Sequence, residues 1–161
     1  MTTSQYNRMV VARNAPELAR VYAQRECYGE ANDCSVIAMS VAFGVPYNVA
    51  HDILAAAGRQ KGKGMYFQTY LQGVAERKES ICGYNVTAVK CHGLLTSSRV
   101  YRRARWVYPS LGKIRRDFPK GRFILIKSGH TFTLLDGKVI DGSAATDRTQ
   151  ITYLFYLEPA Q

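Results

Sequence analysis

The sequence predicts an α+β fold, a helical N-terminal half followed by a C-terminal antiparallel sheet. Three observations carry that reading. Residues 34 to 75 repeat apolar side chains at helical spacing, residues 122 to 157 hold short β-branched and aromatic runs, and an Asp-Gly pair separates two of those runs. Helices first and strands later place the functional site between the two halves. The chain of 161 residues fits one domain, 1–161, and a hydrophobic share of 47% supplies a core for it.

The first helix expected is CSVIAMSVAF, residues 34 to 43, with Cys34, Ile37, Ala38 and Val41 on one face and Gly44 placed to close it in a left-handed cap. Asn32 and Asp33 are both good N-cap residues, so Cys34 falls in the first turn, where free amides and the positive end of the helix dipole favour a thiolate. Pro46 opens a second helix with Val49, Ala50, Ile53, Leu54 and Ala57 as its apolar face, ending at Gly58. GRQKGKG, residues 58 to 64, reads as a basic glycine-rich loop. Met65 to Ala75 then forms a third helix with Tyr66, Tyr70, Leu71 and Val74 on one side.

From Tyr84 the pattern changes. Asn85 to Lys90 reads as a strand, and Ser110 caps a short helix carrying Leu111, Ile114 and Phe118 before Pro119. Arg122 to Lys127, His130 to Leu135, Lys138 to Asp141 and Ile151 to Leu157 are the remaining strands, with Asp136-Gly137 as a two-residue hairpin turn.

The N-terminal MTTSQYNRMVV lacks a basic segment followed by an apolar run of signal-peptide length. No later stretch approaches the roughly 18 apolar residues that span a bilayer. A soluble cytoplasmic protein with no membrane partner is expected. In a reducing compartment Cys27, Cys34, Cys82 and Cys91 are expected as free thiols, and their gaps miss the short ligand spacing of structural zinc sites, so no metal is expected.

Acyl transfer by cysteine needs an accessible thiolate, a base, and a third group that holds the base. Cys34, His130 and Asp141 supply these. If Asp136 and Gly137 are the central turn residues, Leu135 faces Lys138 and counting outward pairs Phe132 with Asp141. His130, Phe132 and Asp141 then share one face, and His130 and Asp141 are diagonal neighbours roughly 7 to 8 Å apart, within reach of a carboxylate for an imidazole. A one-residue change of register would move Asp141 to the other face. Asp136 is the competing orienter, but it lies in the turn, too far along the strand. Cys27, Cys82 and Cys91 lack a comparable helix start, His51 sits within a helix, and His92 follows a strand with no evident carboxylate partner, so these read as structural.

These residues resemble the papain-like cysteine peptidases, particularly the short bacteriocin-processing type, in which an Asp-Cys pair opens the central helix and a histidine and an aspartate follow on sheet strands. The matching pieces are Asn32-Asp33-Cys34 leading into SVIAMSVAF, Gly129-His130-Thr131-Phe132, and Val139-Ile140-Asp141. The run LGKIRRDFPKGRFILIKSGHTFTLLDGKVIDG is also similar to the C-terminal half of small phage and bacterial proteins of this fold. The resemblance spans residues 24 to 143. It implies a papain-like fold with the nucleophile helix packed on the sheet. It also implies cleavage of a peptide or isopeptide bond in a protein or peptide substrate through a thioester, without a cofactor, in a host cytoplasm if phage-encoded. The family usually places a glutamine about six residues before the cysteine to bind the oxyanion, a donor worth about 10²- to 10³-fold in rate. That position is Tyr28 here, which leaves Gln24, Asn32 or the Cys34 amide as oxyanion candidates.

Lysine and arginine outnumber acids 22 to 12, a formal charge of +10. Arg99, Arg102, Arg103, Arg105, Arg115 and Arg116 fall within one segment, interleaved with Tyr101, Trp106 and Tyr108, a composition suited to phosphate contacts and base stacking. No helix-turn-helix or RNA-recognition signature accompanies them. A solvated basic face, a surface that steers an acidic protein, and a nucleic-acid interface are the readings of this segment. A catalytically inactive papain-like protein that binds a host partner is a further reading of the whole chain.

Overall fold

The computed structural model describes residues 16–91, 93–96, 104–142 and 145–161. Helix α1 (Pro16–Glu26) starts at a proline, whose fixed φ suits a first helical position, and buries Leu18 and Val21. Helix α2 (Cys34–Phe43) has the bounds expected and closes on Gly44 at φ 64°, the left-handed conformation glycine adopts without strain. Every residue from Ser35 to Phe43 is buried, so α2 has no solvent face and is itself core.

Helix α3 (Tyr47–Ala56) follows Pro46 and buries Tyr47, Ala50 and Leu54. Helix α4 (Phe67–Arg77) begins later than the sequence suggests. Phe67, Leu71 and Val74 then recur at i, i+4 and i+7 and take the buried face, while Tyr66, expected on that face, is 80% exposed. Helix α5 (Leu111–Asp117) is capped by Ser110, whose hydroxyl accepts from the Lys113 amide at 3.2 Å.

The strands are β1 (Ser80–Ile81), β2 (Tyr84–Val89), β3 (Gly93–Thr96), β4 (Ala104–Val107), β5 (Arg122–Lys127), β6 (His130–Leu135), β7 (Lys138–Ile140) and β8 (Tyr153–Pro159). Six form one antiparallel sheet in the order β1-β2-β8-β5-β6-β7, and β3 pairs with β4 separately. The fold is α+β. The pairing of β3 with β4 carries no turn signal of the Asp-Gly kind in the sequence. β8 begins at Tyr153, two residues later than expected; the Ile151 amide donates to the Pro109 carbonyl outside the sheet, while the Thr152 amide already meets the Ile126 carbonyl of β5.

The hairpin register is the expected one: Leu135 faces Lys138, Leu134 faces Val139 and Thr133 faces Ile140. Asp136 and Gly137 have φ of 47° and 79°, the double positive φ of a type I′ turn. The middle residues of β5 and β6 are all buried because both sheet faces are covered. On one face Ile124 and Ile126 join α2, and on the other Phe123, Leu125, Phe132 and Leu134 pack with Leu111 and Ile114 of α5. Burying each such side chain contributes about 1.5–3 kcal/mol.

Two polar side chains pin α2 to the sheet through three hydrogen bonds. Thr133 Oγ1 donates to the Ala38 carbonyl at 3.3 Å, and Arg122 Nη1 donates to the carbonyls of Val41 and Ala42 at 3.3 and 2.6 Å. The guanidinium thus compensates the negative end of the α2 dipole. Among the described residues no single helix is long and apolar enough to cross a membrane.

Candidate active site

Asp33 occupies the N-cap position of α2 with φ −107° and ψ 24°, yet its side chain makes no cap hydrogen bond. The expectation of a capping carboxylate is therefore corrected. Asp33 Oδ2 accepts instead from Arg25 Nε of α1 and from the Tyr47 hydroxyl of α3, both at 2.7 Å. A buried carboxylate is drawn to a charged donor more strongly than to a neutral amide. The first-turn amides of α2 are left without a side-chain cap beside Cys34.

The Cys34 thiol is half-buried and lies within interaction range of the His130 imidazole. Burial raises its pKa, but the His130 hydrogen bond, the amides of Thr131 and Ser35 and the His130 charge outweigh that, and the thiol lies below its ordinary value. For His130, burial opposes the charged form. The bond to Cys34, the Asp141 carbonyl and the negative charges of Asp141 and Cys34 prevail, and its pKa is raised. A lowered thiol beside a raised imidazole is the condition for a thiolate–imidazolium pair.

His130 opens β6 and stacks on Phe132 at 5.9 Å. Its Nε2 lies 2.5 Å from the backbone carbonyl of Asp141. A carbonyl only accepts, so Nε2 carries the proton and Nδ1 is the nitrogen left for the sulfur. The expectation that the Asp141 carboxylate meets the imidazole is corrected: the backbone carbonyl of Asp141 does. β7 ends at Ile140, and Asp141 turns out of the strand at φ 60°. The turn aims its carbonyl at His130, and Asp141 Oδ1 accepts from the Tyr22 hydroxyl of α1 at 3.0 Å. Burial raises the Asp141 pKa despite the opposing pull of His130 and Tyr22.

The loop before Cys34 is anchored by a buried ion pair, Glu30 Oε2 to Arg59 Nη1 at 2.6 Å, with side chains 0% and 2% exposed. Glu30 Oε1 also accepts from the Gly62 amide at 3.1 Å, and Arg25 Nη2 donates to the Glu30 carbonyl at 3.2 Å. The basic loop of residues 58 to 64 is therefore a structural clasp on the cysteine loop.

The oxyanion candidates Gln24 and Asn32 have structural partners. Gln24 Oε1 accepts from the Tyr47 amide at 2.6 Å, capping α3, and Asn32 Nδ2 donates to the Gly62 carbonyl at 3.0 Å. The Cys34 amide, at the uncapped helix start, is the remaining candidate. Tyr28 packs on the rings of Tyr47 and His51, with centroids at 5.4 and 4.7 Å.

In the basic segment, Arg99, Arg102 and Arg103 lie outside the described residues and Arg105 lies on β4. Arg115 and Arg116 are exposed on α5. Arg115 is occupied: Nη1 donates to Asp147 Oδ1 and Nε to the Gly137 carbonyl, both at 3.1 Å. That pairing subtracts one charge from the expected polyanion surface.

Sequence reasoning missed Tyr22 and Arg25. Their signal was present, since Leu18, Val21, Tyr22 and Arg25 follow Pro16 at helical spacing. The Glu30–Arg59 pairing had no such local signal. Among the described residues no group of three His, Cys, Asp or Glu side chains is arranged to hold a metal. Comparison of the chain with family models, with curated proteins and with solved structures returns no match.

Proposed function

We propose that the protein is a cysteine hydrolase of papain-like architecture that cleaves a peptide or isopeptide bond through a thioester. The observation that supports this best is the Cys34–His130 pair at the uncapped start of a buried helix, with the far ring nitrogen held by the Asp141 carbonyl.

The Cys34 thiolate attacks the substrate carbonyl carbon, forming a C–S bond while the carbonyl π pair moves to oxygen. The amides at the start of α2 stabilise that oxyanion. As the tetrahedral species collapses, the C–N bond breaks and the nitrogen takes the proton held by His130, leaving a thioester. Neutral His130 then draws a proton from water as it attacks the thioester, and thiolate and imidazolium are restored. A formal charge of +10 favours encounter with an acidic protein substrate.

Iodoacetamide labelling across pH with mass mapping of the modified cysteine tests the reading. Cys34 is expected to label fastest near neutral pH, because its lowered pKa keeps it thiolate below the range of an ordinary thiol, about 8.5. Cys82 is raised by burial and Cys91 is pushed up to about 11, so both lag. His130→Ala should return Cys34 to ordinary behaviour. A Cys34 that is inert, or indifferent to His130, sinks the hydrolase and leaves a binding protein built on this site's fold.

A further inference from the structure

Tyr22 takes no part in the chemistry proposed above, yet its hydroxyl reaches Asp141 Oδ1 at 3.0 Å across 119 positions of sequence. Asp141 needs such a partner. It holds φ 60°, a conformation that is costly for most side-chain-bearing residues and that aspartate tolerates better than most. In that turn its carbonyl, not its carboxylate, meets the imidazole. An ionised carboxylate is the stronger partner for an imidazolium, so the observed geometry requires that the carboxylate be engaged elsewhere.

The groups facing the Asp141 carboxylate are His130 from β6, Tyr22 and Arg25 from α1, and Asp33 just before α2. Arg25 is occupied with Asp33, and its guanidinium carbon lies 5.7 Å from the Tyr22 ring centroid. The Tyr22 hydroxyl is the neutral donor that binds the carboxylate directly. Helix α1 therefore touches both halves of the site, Asp33 beside Cys34 through Arg25 and Asp141 beside His130 through Tyr22.

We propose that Tyr22 is a positioning residue: by binding the Asp141 carboxylate it keeps the carbonyl as the orienting partner of His130, and so sets how strongly His130 holds its proton. The proposal rests on the hydrolase reading for its consequence, because His130 must be neutral to activate water for thioester hydrolysis. A carboxylate in direct contact would keep the imidazole protonated to higher pH and slow that step near neutrality.

Tyr22→Phe removes the hydroxyl and keeps the ring. The protein holds three histidines, so the His130 ring signal can be assigned by NMR and titrated. In Tyr22→Phe the released carboxylate is expected to raise the His130 titration by about one pH unit, the lower end of the effect of an adjacent opposite charge. In an Asp141→Gly background, which keeps the carbonyl and relaxes at positive φ, the same substitution should leave the His130 titration unchanged. A lower melting temperature with an unmoved titration in Tyr22→Phe would make Tyr22 purely structural and overturn the proposal. A shift that persists in Asp141→Gly would do so too, since Tyr22 would then not act through the carboxylate. Iodoacetamide labelling of Cys34 is run alongside: an ordinary Cys34 rate counts against the hydrolase, whereas the His130 titration decides the role of Tyr22.

Discussion

The two sides of the candidate site are held by different kinds of force. Cys34 is placed by side chains distant in sequence: Arg25 and Tyr47 on Asp33, Arg59 on Glu30, and Asn32 and Glu30 on Gly62. His130 is placed by backbone: a two-residue turn, a ladder of paired strands, and a carbonyl on its ring. The first arrangement concentrates its energy in a few buried charges, each with a large desolvation cost if left alone. The second spreads it over many hydrogen bonds worth about 1 kcal/mol each. Single substitutions should therefore act unequally on the two sides.

The largest effect is expected from Glu30→Ala. It leaves the Arg59 guanidinium, 2% exposed, without its carboxylate, at a cost of about 3–5 kcal/mol. Urea unfolding reads the loss, and iodoacetamide labelling of the folded fraction should show that Cys34 has lost its selective reactivity. Gly137→Val strains the turn at φ 79° and is expected to cost about 1–2 kcal/mol. Here Cys34 labelling in the folded fraction should remain, because the ladder still sets the register. If Gly137→Val abolished labelling while Glu30→Ala spared it, the contrast between the two sides would be reversed.

The smallest effect is expected from Asp141→Asn. Asparagine tolerates the left-handed turn, and the carbonyl that meets His130 belongs to the backbone. Cys34 labelling at neutral pH should change by no more than about threefold, under 1 kcal/mol. A loss beyond tenfold would return the orienting role to the carboxylate.

The same contrast explains what could be read from sequence. The Asp136-Gly137 turn, the register it sets and the bounds of α2 follow from local chemistry, so the neighbourhood of His130 and Asp141 was predictable by counting residues. The counting failed at Asp141 itself, because it assumed an extended strand where the chain turns at φ 60°. The clasp on the cysteine loop was not legible. The Glu30–Gly62 bond joins residues 32 positions apart, and Glu30 carries no periodicity or turn signal that selects Arg59 or Gly62. Tyr66 and Phe67 show a smaller failure of the same kind: both fit an apolar stripe, and the packed core selects Phe67.

Helix α2 ends with an asymmetry that bears on every covalent state of its first residue. A guanidinium already balances its last carbonyls, while Asp33 is turned towards Arg25 and leaves the Cys34 sulfur, when ionised, as a counter-ion of the opposite pole. Converting that sulfur to a neutral thioether or thioester discharges the pole, and an anion at a helix start contributes about 0.3–1 kcal/mol. An alkylated protein should accordingly melt at a lower temperature than the free thiolate form. On the hydrolase reading, the acylated sulfur is likewise the electrostatically poorer state, so the helix that helps create the nucleophile also favours its release from product.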